Sequence, residues 1–216
     1  MKLDVSVYLV TDRGLLAGRR LTDVVAAAVA GGVTCVQLRE KEASGREFVR
    51  IAKELLEVLR PVGVPLIIND RVDVAVAADA DGAHVGQDDI PAAAARKMLG
   101  PDKILGVTVA TPEEAAKAAE EGADYVSASA VFATPTKRDA GQPMGIDGLR
   151  RLCMASPVPV VAIGGVNLEN AGDMIRAGAA GVAVVRAIMA ASDPKAAAQL
   201  LRQVVESARQ GGAASS

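Results

Sequence analysis

Two periodicities alternate along this chain eight times over, and few folds accommodate such a pattern. Short runs rich in β-branched residues recur as "VSVYLVTD", "VTCVQLRE", "VPLIIND", "GAHVGQ", "KILGVTV", "ADYVSAS", "PVVAIGG" and "GVAVVRA". Each is followed by an Ala/Leu-rich stretch with helical spacing: "LTDVVAAAVAGG", "GREFVRIAKELLEVLRP", "RVDVAVAADA", "IPAAAARKMLG", "TPEEAAKAAEEG", "GIDGLRRLCMAS", "NLENAGDMIRAG" and "DPKAAAQLLRQVVESARQ". A period of two giving way to one of 3.6 marks a βα unit on a parallel sheet. Eight such units point to a closed (β/α)8 TIM barrel, one catalytic domain over residues 1–210, with "GGAASS" (211–216) as a frayed, disordered tail.

The alternative is an open doubly wound sheet. No GxGxxG turn follows the first strand, so its dinucleotide-binding version has little support. Local punctuation agrees with the helices. Thr111 before Pro112 and Glu114 supplies a cap, a proline in the first turn and an acidic partner, while Gly122 and Gly178 sit where helices end.

A chain of 216 residues, 50% of them hydrophobic, suffices for one large core. Its net charge of -2 offers no global field for nucleic acid or an anionic membrane, so an anionic ligand must be met by locally clustered cations. An aromatic content of 2% without Trp also argues against base-stacking platforms. Cys35 and Cys153 have no metal-ligand or CxxC spacing and are expected as buried, reduced thiols. The N-terminal "MKLDVSVYLVTD" lacks a signal-peptide pattern, and no segment reaches the roughly 20 apolar residues of a membrane span. The expectation is a cytoplasmic protein with small-molecule substrates and no nucleic-acid or membrane partner, with a homo-oligomer left open.

In a barrel of this type the functional face lies at the C-terminal ends of the strands. The second strand runs into Gln37, Arg39 and Lys41 at strict alternation, so the three share a face as the strand emerges, with Cys35 below them on the lumen side. Rim pairing with Glu40, Glu42 or Glu47 is the bland alternative. The third strand ends at Asn69 and Asp70, and the fourth leads to Asp88 and Asp89. Oxygen-only carboxylates on adjacent strand ends suit a hard cation such as Mg2+, and a cation beside Arg39 and Lys41 suggests a diphosphate ligand. Asp88 or Asp89 could instead cap the helix that begins near Pro91.

His84, the sole histidine, is expected as a hydrogen-bonded core imidazole. Thr108 places a hydroxyl at the end of the fifth strand. The long loop after the sixth strand carries Thr134, Thr136 and Lys137, donors suited to phosphate oxygens. Gly164, Gly165 and the Val185–Arg186 backbone follow strands seven and eight, where barrels commonly bind phosphate.

Taken in order, "YLVTD", "QLREK", "ND", "HVGQDD", "GVT", "VFATPTK", "AIGGV" and "GVAVV" resemble the thiamin phosphate synthase family over nearly the whole chain. The resemblance implies a transferase that joins hydroxymethylpyrimidine diphosphate to hydroxyethyl-methylthiazole phosphate, releasing diphosphate with Mg2+ bound. By motif, Gln37, Arg39, Lys41, Asn69, Thr108 and Lys137 would hold the pyrimidine diphosphate. Leu38 and Glu40 belong to the same "QLREK" stretch. Asp70 and Asp89 would hold Mg2+, and Thr134, Thr136, Gly165, Val185 and Arg186 the thiazole phosphate, with Pro135 a further substrate contact in the same "TPTK" loop. Arg39, Lys41 and Lys137 would be the catalytic cations. Three departures stand out: Thr108 replaces a usual Ser and keeps its hydroxyl, "SASAVF" replaces a Gly-rich segment, and Arg186 replaces a common Ser, adding charge to the phosphate or crowding it.

No Ser/His/Asp or Cys/His set is visible, so covalent catalysis has no obvious nucleophile. Two rivals remain. A metal-free thiazole tautomerase of related fold would need an acid/base group near the ring, and the Asp70/Asp89 pair and the "TPTK" loop, with no histidine expected nearby, favour the transferase. A noncatalytic barrel that binds a phosphate ligand would bind without turnover.

Overall fold

The computed structural model describes residues 3–134 and 142–213. Eight parallel strands close on themselves in sequence order: β1 (Val7–Val10), β2 (Cys35–Leu38), β3 (Leu66–Asn69), β4 (Gly82–Val85), β5 (Ile104–Val109), β6 (Tyr125–Ala128), β7 (Val160–Ile163) and β8 (Gly181–Val184). Closure is made by β8 against β1, with Leu9 opposite Val184. Each expected strand is present with its ends trimmed.

The intervening helices are α1 (Leu21–Ala30), α2 (Gly45–Leu59), α3 (Val72–Ala78), α4 (Ala92–Leu99), α5 (Pro112–Glu120), α6 (Gly145–Ala155), α7 (Ala171–Arg176), α8 (Arg186–Met189) and α9 (Pro194–Ala213). Helix α2 shows how local chemistry sets them. Ser44 accepts the Glu47 amide at its start, and Phe48, Ile51, Ala52, Leu55, Leu56 and Leu59 bury one stripe at the spacing of a core-facing helix. Thr111 caps α5 in the same way, with Pro112 in the first turn, and the Glu114 carboxylate accepts the Ala110 amide at 2.6 Å. Gly122 and Gly178, at φ +93° and +108°, follow α5 and α7 in a conformation that glycine adopts without penalty.

Three boundaries differ from expectation. Helix α4 takes no side-chain cap; Asp89 instead accepts the Gly86 amide at 2.7 Å and folds the β4–α4 loop back on itself. The four-residue α8 was hidden because Arg186 and Ala187 read as the end of the strand before it. Helix α9 runs to Ala213, three residues into the stretch expected to fray.

Alternation divides every strand between two cores. Val7, Leu9, Val36, Leu38, Leu66 and Ile68 face outward into a large cluster with the helices, whereas Tyr8, Val10, Cys35, Ile67, Tyr125, Val161 and Ala183 fill the lumen. The lumen is therefore a packed plug, and a ligand must sit above it. Cys35 is fully buried as expected, while Cys153 is only half-buried, its thiol pushed up to about 11 by burial. Among the described residues no helix is long and apolar enough to cross a membrane.

Candidate active site

A cavity of about 560 Å³ opens above the lumen plug at the C-terminal ends of the strands. Its lining includes Gln37, Arg39 and Lys41 from β2 and the loop beyond, Asn69 and Asp70 after β3, Asp88 and Asp89 after β4, and Thr108 from β5. Thr134, Gly165, Val185 and Arg186 border the same space. These of the sequence-predicted residues thus share one mouth. Pro135, Thr136 and Lys137 lie outside the described residues.

Leu38 and Glu40, expected among the substrate contacts, turn away. Leu38 is wholly buried in the outer core, and Glu40 binds Arg13, Nε to Oε2 2.9 Å. Period-two alternation explains both: residues between Gln37, Arg39 and Lys41 must face the other way. Burial pushes the Glu40 carboxyl up while Arg13 pulls against it, and its second oxygen has no hydrogen-bond partner among the described residues.

The rim charges are not paired along β2. Lys41 Nζ reaches across to Asp70 Oδ2 at 2.6 Å, and Glu47 binds Arg50. Arg39 and Arg186 pair with no carboxylate among the described residues, so both guanidiniums can face an anionic ligand. Asp70 sits at φ +63°, where Asp is one of few tolerated non-glycine residues. Its amide donates to the His84 carbonyl at 2.8 Å, which pins the turn.

Asp89 stands beside Asp70. Burial raises its carboxyl above the ordinary range, and the Asp70 charge raises it further; the Gly86 amide and Lys41 oppose the shift. Two carboxylates facing each other at the mouth form the donor set of a hard cation. Among the described residues no group of three or more metal-ligating side chains occurs. An ion such as Mg2+, which takes one or two carboxylates and completes its shell with water and ligand oxygens, is chemically compatible with such a pair.

Glycines after β7 serve a purpose the sequence did not disclose. Gly164 and Gly165 have φ +100° and +65°. A Cβ on Gly164 would lie 2.6 Å from Ala130 Cβ, and one on Gly165 2.8 Å from Phe132 Cβ. They let the loop after β6 lie directly on the end of β7, where the Phe132 amide donates to the Gly164 carbonyl at 3.2 Å.

The floor of the cavity was read incompletely from sequence. His84 lines it and is 5% exposed, so a histidine does lie near the ligand space, contrary to expectation. Its Nδ1 is 3.0 Å from the Tyr125 hydroxyl and its Nε2 is 2.9 Å from Thr108 Oγ1. Tyr8, Ser127 and Ser129 also line the cavity, and none of them was expected among the ligand contacts, although the two serines belong to the "SASAVF" departure. The available signal was a tyrosine and a serine at lumen-facing positions of otherwise apolar strands. Thr108 lies deeper than a rim position, engaged with His84 and with Ser127 at 3.3 Å.

Fold and site define a (β/α)8 barrel with a charged ligand pocket at the C-terminal mouth of its strands, over a hydrogen-bonded floor. The family model described as Thiamine monophosphate synthase matches residues 7–188. This chain belongs to that family. It is 57% identical over 206 residues to a thiamine-phosphate synthase from Solidesulfovibrio magneticus, covering 95% of this chain and 98% of the relative. A second, from Roseiflexus sp. (strain RS-1), is 52% identical over 202 residues, covering 94% and 86%. Among solved structures, a thiamine phosphate pyrophosphorylase from Pyrococcus furiosus superposes with a TM-score of 0.88 at 39% identity, covering 95% of this chain and 98% of that one.

Proposed function

We propose that the chain condenses hydroxymethylpyrimidine diphosphate with hydroxyethyl-methylthiazole phosphate, giving thiamin phosphate and diphosphate. The observation that carries this reading is the meeting of Arg39 and Lys41 with Asp70 and Asp89 at one end of the barrel. The names and coverage of the relatives support it.

The bond between the pyrimidine methylene carbon and the diphosphate oxygen breaks, its electron pair leaving with the diphosphate. The lone pair of the thiazole nitrogen then forms the new C–N bond. The protein must neutralise charge growing on the leaving oxygens. Arg39 and Lys41, on the loop just beyond β2, would serve that purpose with Lys137 as a third cation, and such preorganised charge acts in the transition state. Asp70 and Asp89 would hold Mg2+, which when bound supplies further charge neutralisation to the diphosphate. Arg186 and the backbone near Gly165 and Val185, with Thr134 and Thr136, would bind the thiazole phosphate.

A tautomerase reading would employ His84 as acid or base. Both of its ring nitrogens are already engaged by Tyr125 and Thr108, and the relatives named above are synthases. The decisive assay is diphosphate release from the two substrates, with and without EDTA. Release that needs both substrates and stops on chelation is expected; phosphate-ligand binding without turnover would replace the transferase by a binding protein.

A further inference from the structure

A polar chain crosses the lumen beneath the cavity. Gln37 Nε2 donates to the Tyr8 hydroxyl at 3.0 Å, the Tyr8 and Tyr125 hydroxyls are 2.7 Å apart, and Tyr125 contacts His84 Nδ1 at 3.0 Å. His84 Nε2 then meets Thr108 Oγ1 at 2.9 Å and Ser127 Oγ at 3.3 Å. The two ends, Gln37 on β2 and Thr108 on β5, are pocket-lining residues on different strands. Gly106 makes room for the middle, since a Cβ there would stand 2.2 Å from Tyr125 Cζ and 2.4 Å from His84 Nδ1.

Each hydroxyl has one hydrogen to give, so the chain has a direction. Burial holds both phenols well above their ordinary range, and they stay protonated. Tyr8 accepts from the Gln37 amide, and of its two acceptors, the weakly accepting Cys35 sulfur and the Tyr125 hydroxyl at 2.7 Å, the hydroxyl takes its hydrogen. Tyr125 then gives its own to His84 Nδ1, which has to be bare. The ring proton therefore sits on Nε2 and is donated to Thr108 Oγ1, the nearer of its two partners at 2.9 Å against 3.3 Å for Ser127 Oγ. Gln37 is left with its carbonyl oxygen, an acceptor, outside the chain, and Thr108, already accepting, is left to donate.

We infer that the Tyr8–Tyr125–His84 chain is a positioning device that fixes His84 as its Nε2–H tautomer and so sets Gln37 as acceptor and Thr108 as donor toward the ligand. Its effect on turnover rests on the proposed function, in which both residues hold the pyrimidine diphosphate. None of the three chain residues needs to take part in bond making. The assignment also explains why two tyrosines stand among the Val, Ile, Ala and Cys side chains of the lumen.

Because His84 is the only histidine, its imidazole nitrogens can be read by ¹⁵N NMR in the full chain without ambiguity. The wild-type spectrum should show a protonated Nε2 and a bare Nδ1. Tyr125→Phe removes the donor to Nδ1, and the two tautomers should then mix. Gln37→Glu, measured at mildly alkaline pH, offers only acceptors to Tyr8, so the chain should run backwards and the proton should move to Nδ1 on the far side of the lumen. In kinetics, Tyr125→Phe should raise KM for the pyrimidine diphosphate by about five-fold, the loss of one ordinary hydrogen bond, with KM for the thiazole phosphate unchanged. An Nδ1–H wild type, or a His84 spectrum indifferent to both substitutions, would overturn the inference. The NMR readout needs no turnover, so it stands or falls apart from the transferase assignment.

Discussion

Asp70 combines a backbone role and a charge role that substitution can separate. Its φ of +63° is open to Asp and Asn but costs other non-glycine residues about 1–2 kcal/mol. Its carboxylate meanwhile holds Lys41 at 2.6 Å and faces Asp89. Asp70→Asn keeps the turn and removes the charge, so turnover should fall on the order of 10²-fold with little change in melting temperature. Asp70→Ala should lose the same activity and, in addition, melt lower. Equal melting losses in the two variants would make the side chain structural. The role of Asp70 as a rim carboxylate could be read from "IIND", but its left-handed backbone could not, because nothing in that tetrapeptide marks the turn that the His84 carbonyl imposes.

Strands were the most legible elements and short helices the least. Most strands are announced by β-branched runs, β4 and β6 carrying only one such residue each, and alternation correctly put Gln37, Arg39 and Lys41 on one face. The same rule, applied to the residues between them, would have set aside Leu38 and Glu40. Helix α8 escaped because four residues are too few to display a period. The glycines on the lumen side were unreadable for another reason: their necessity comes from neighbours distant in sequence. Gly106 is the sharpest instance, with Tyr125 and His84 occupying the space of its missing side chain. Gly106→Ala should destabilise the barrel by about 1–3 kcal/mol through overpacking, read from the denaturation midpoint, by forcing β4, β5 and β6 apart at the level of the floor. A midpoint unchanged from wild type would mean that the lumen yields more easily than its close packing implies.

Linkage makes the carboxylate pair a property of the whole molecule. The folded chain keeps a proton on Asp89 at pH values where the unfolded chain has given it up, because burial and Asp70 disfavour the charge. The folded state therefore binds more protons in the window just above the ordinary carboxyl range, and stability falls as pH climbs through it. Asp89→Asn retains an oxygen for the Gly86 amide but no charge. Without Mg2+ it should melt above wild type at neutral pH, and the difference should close in acid. Added Mg2+ should stabilise wild type more than the variant. Parallel melting curves across pH, with Mg2+ acting equally on both, would show that the pair carries no such penalty. A net charge of -2 gives no hint of this local conflict, which exists only because the parallel pairing of β3 with β4 sets the ends of those two strands side by side.

Along each strand, ligand-facing and helix-facing side chains take turns. Replacing one residue by another can redress the mouth while leaving the foundation beneath the helices alone. Deleting or inserting one residue within a strand would exchange the two sets, turning leucines toward water and cations toward the hydrocarbon. Descendants of this sequence are therefore free to drift by exchange inside the staves, and any change of length must be accommodated in the connections between them.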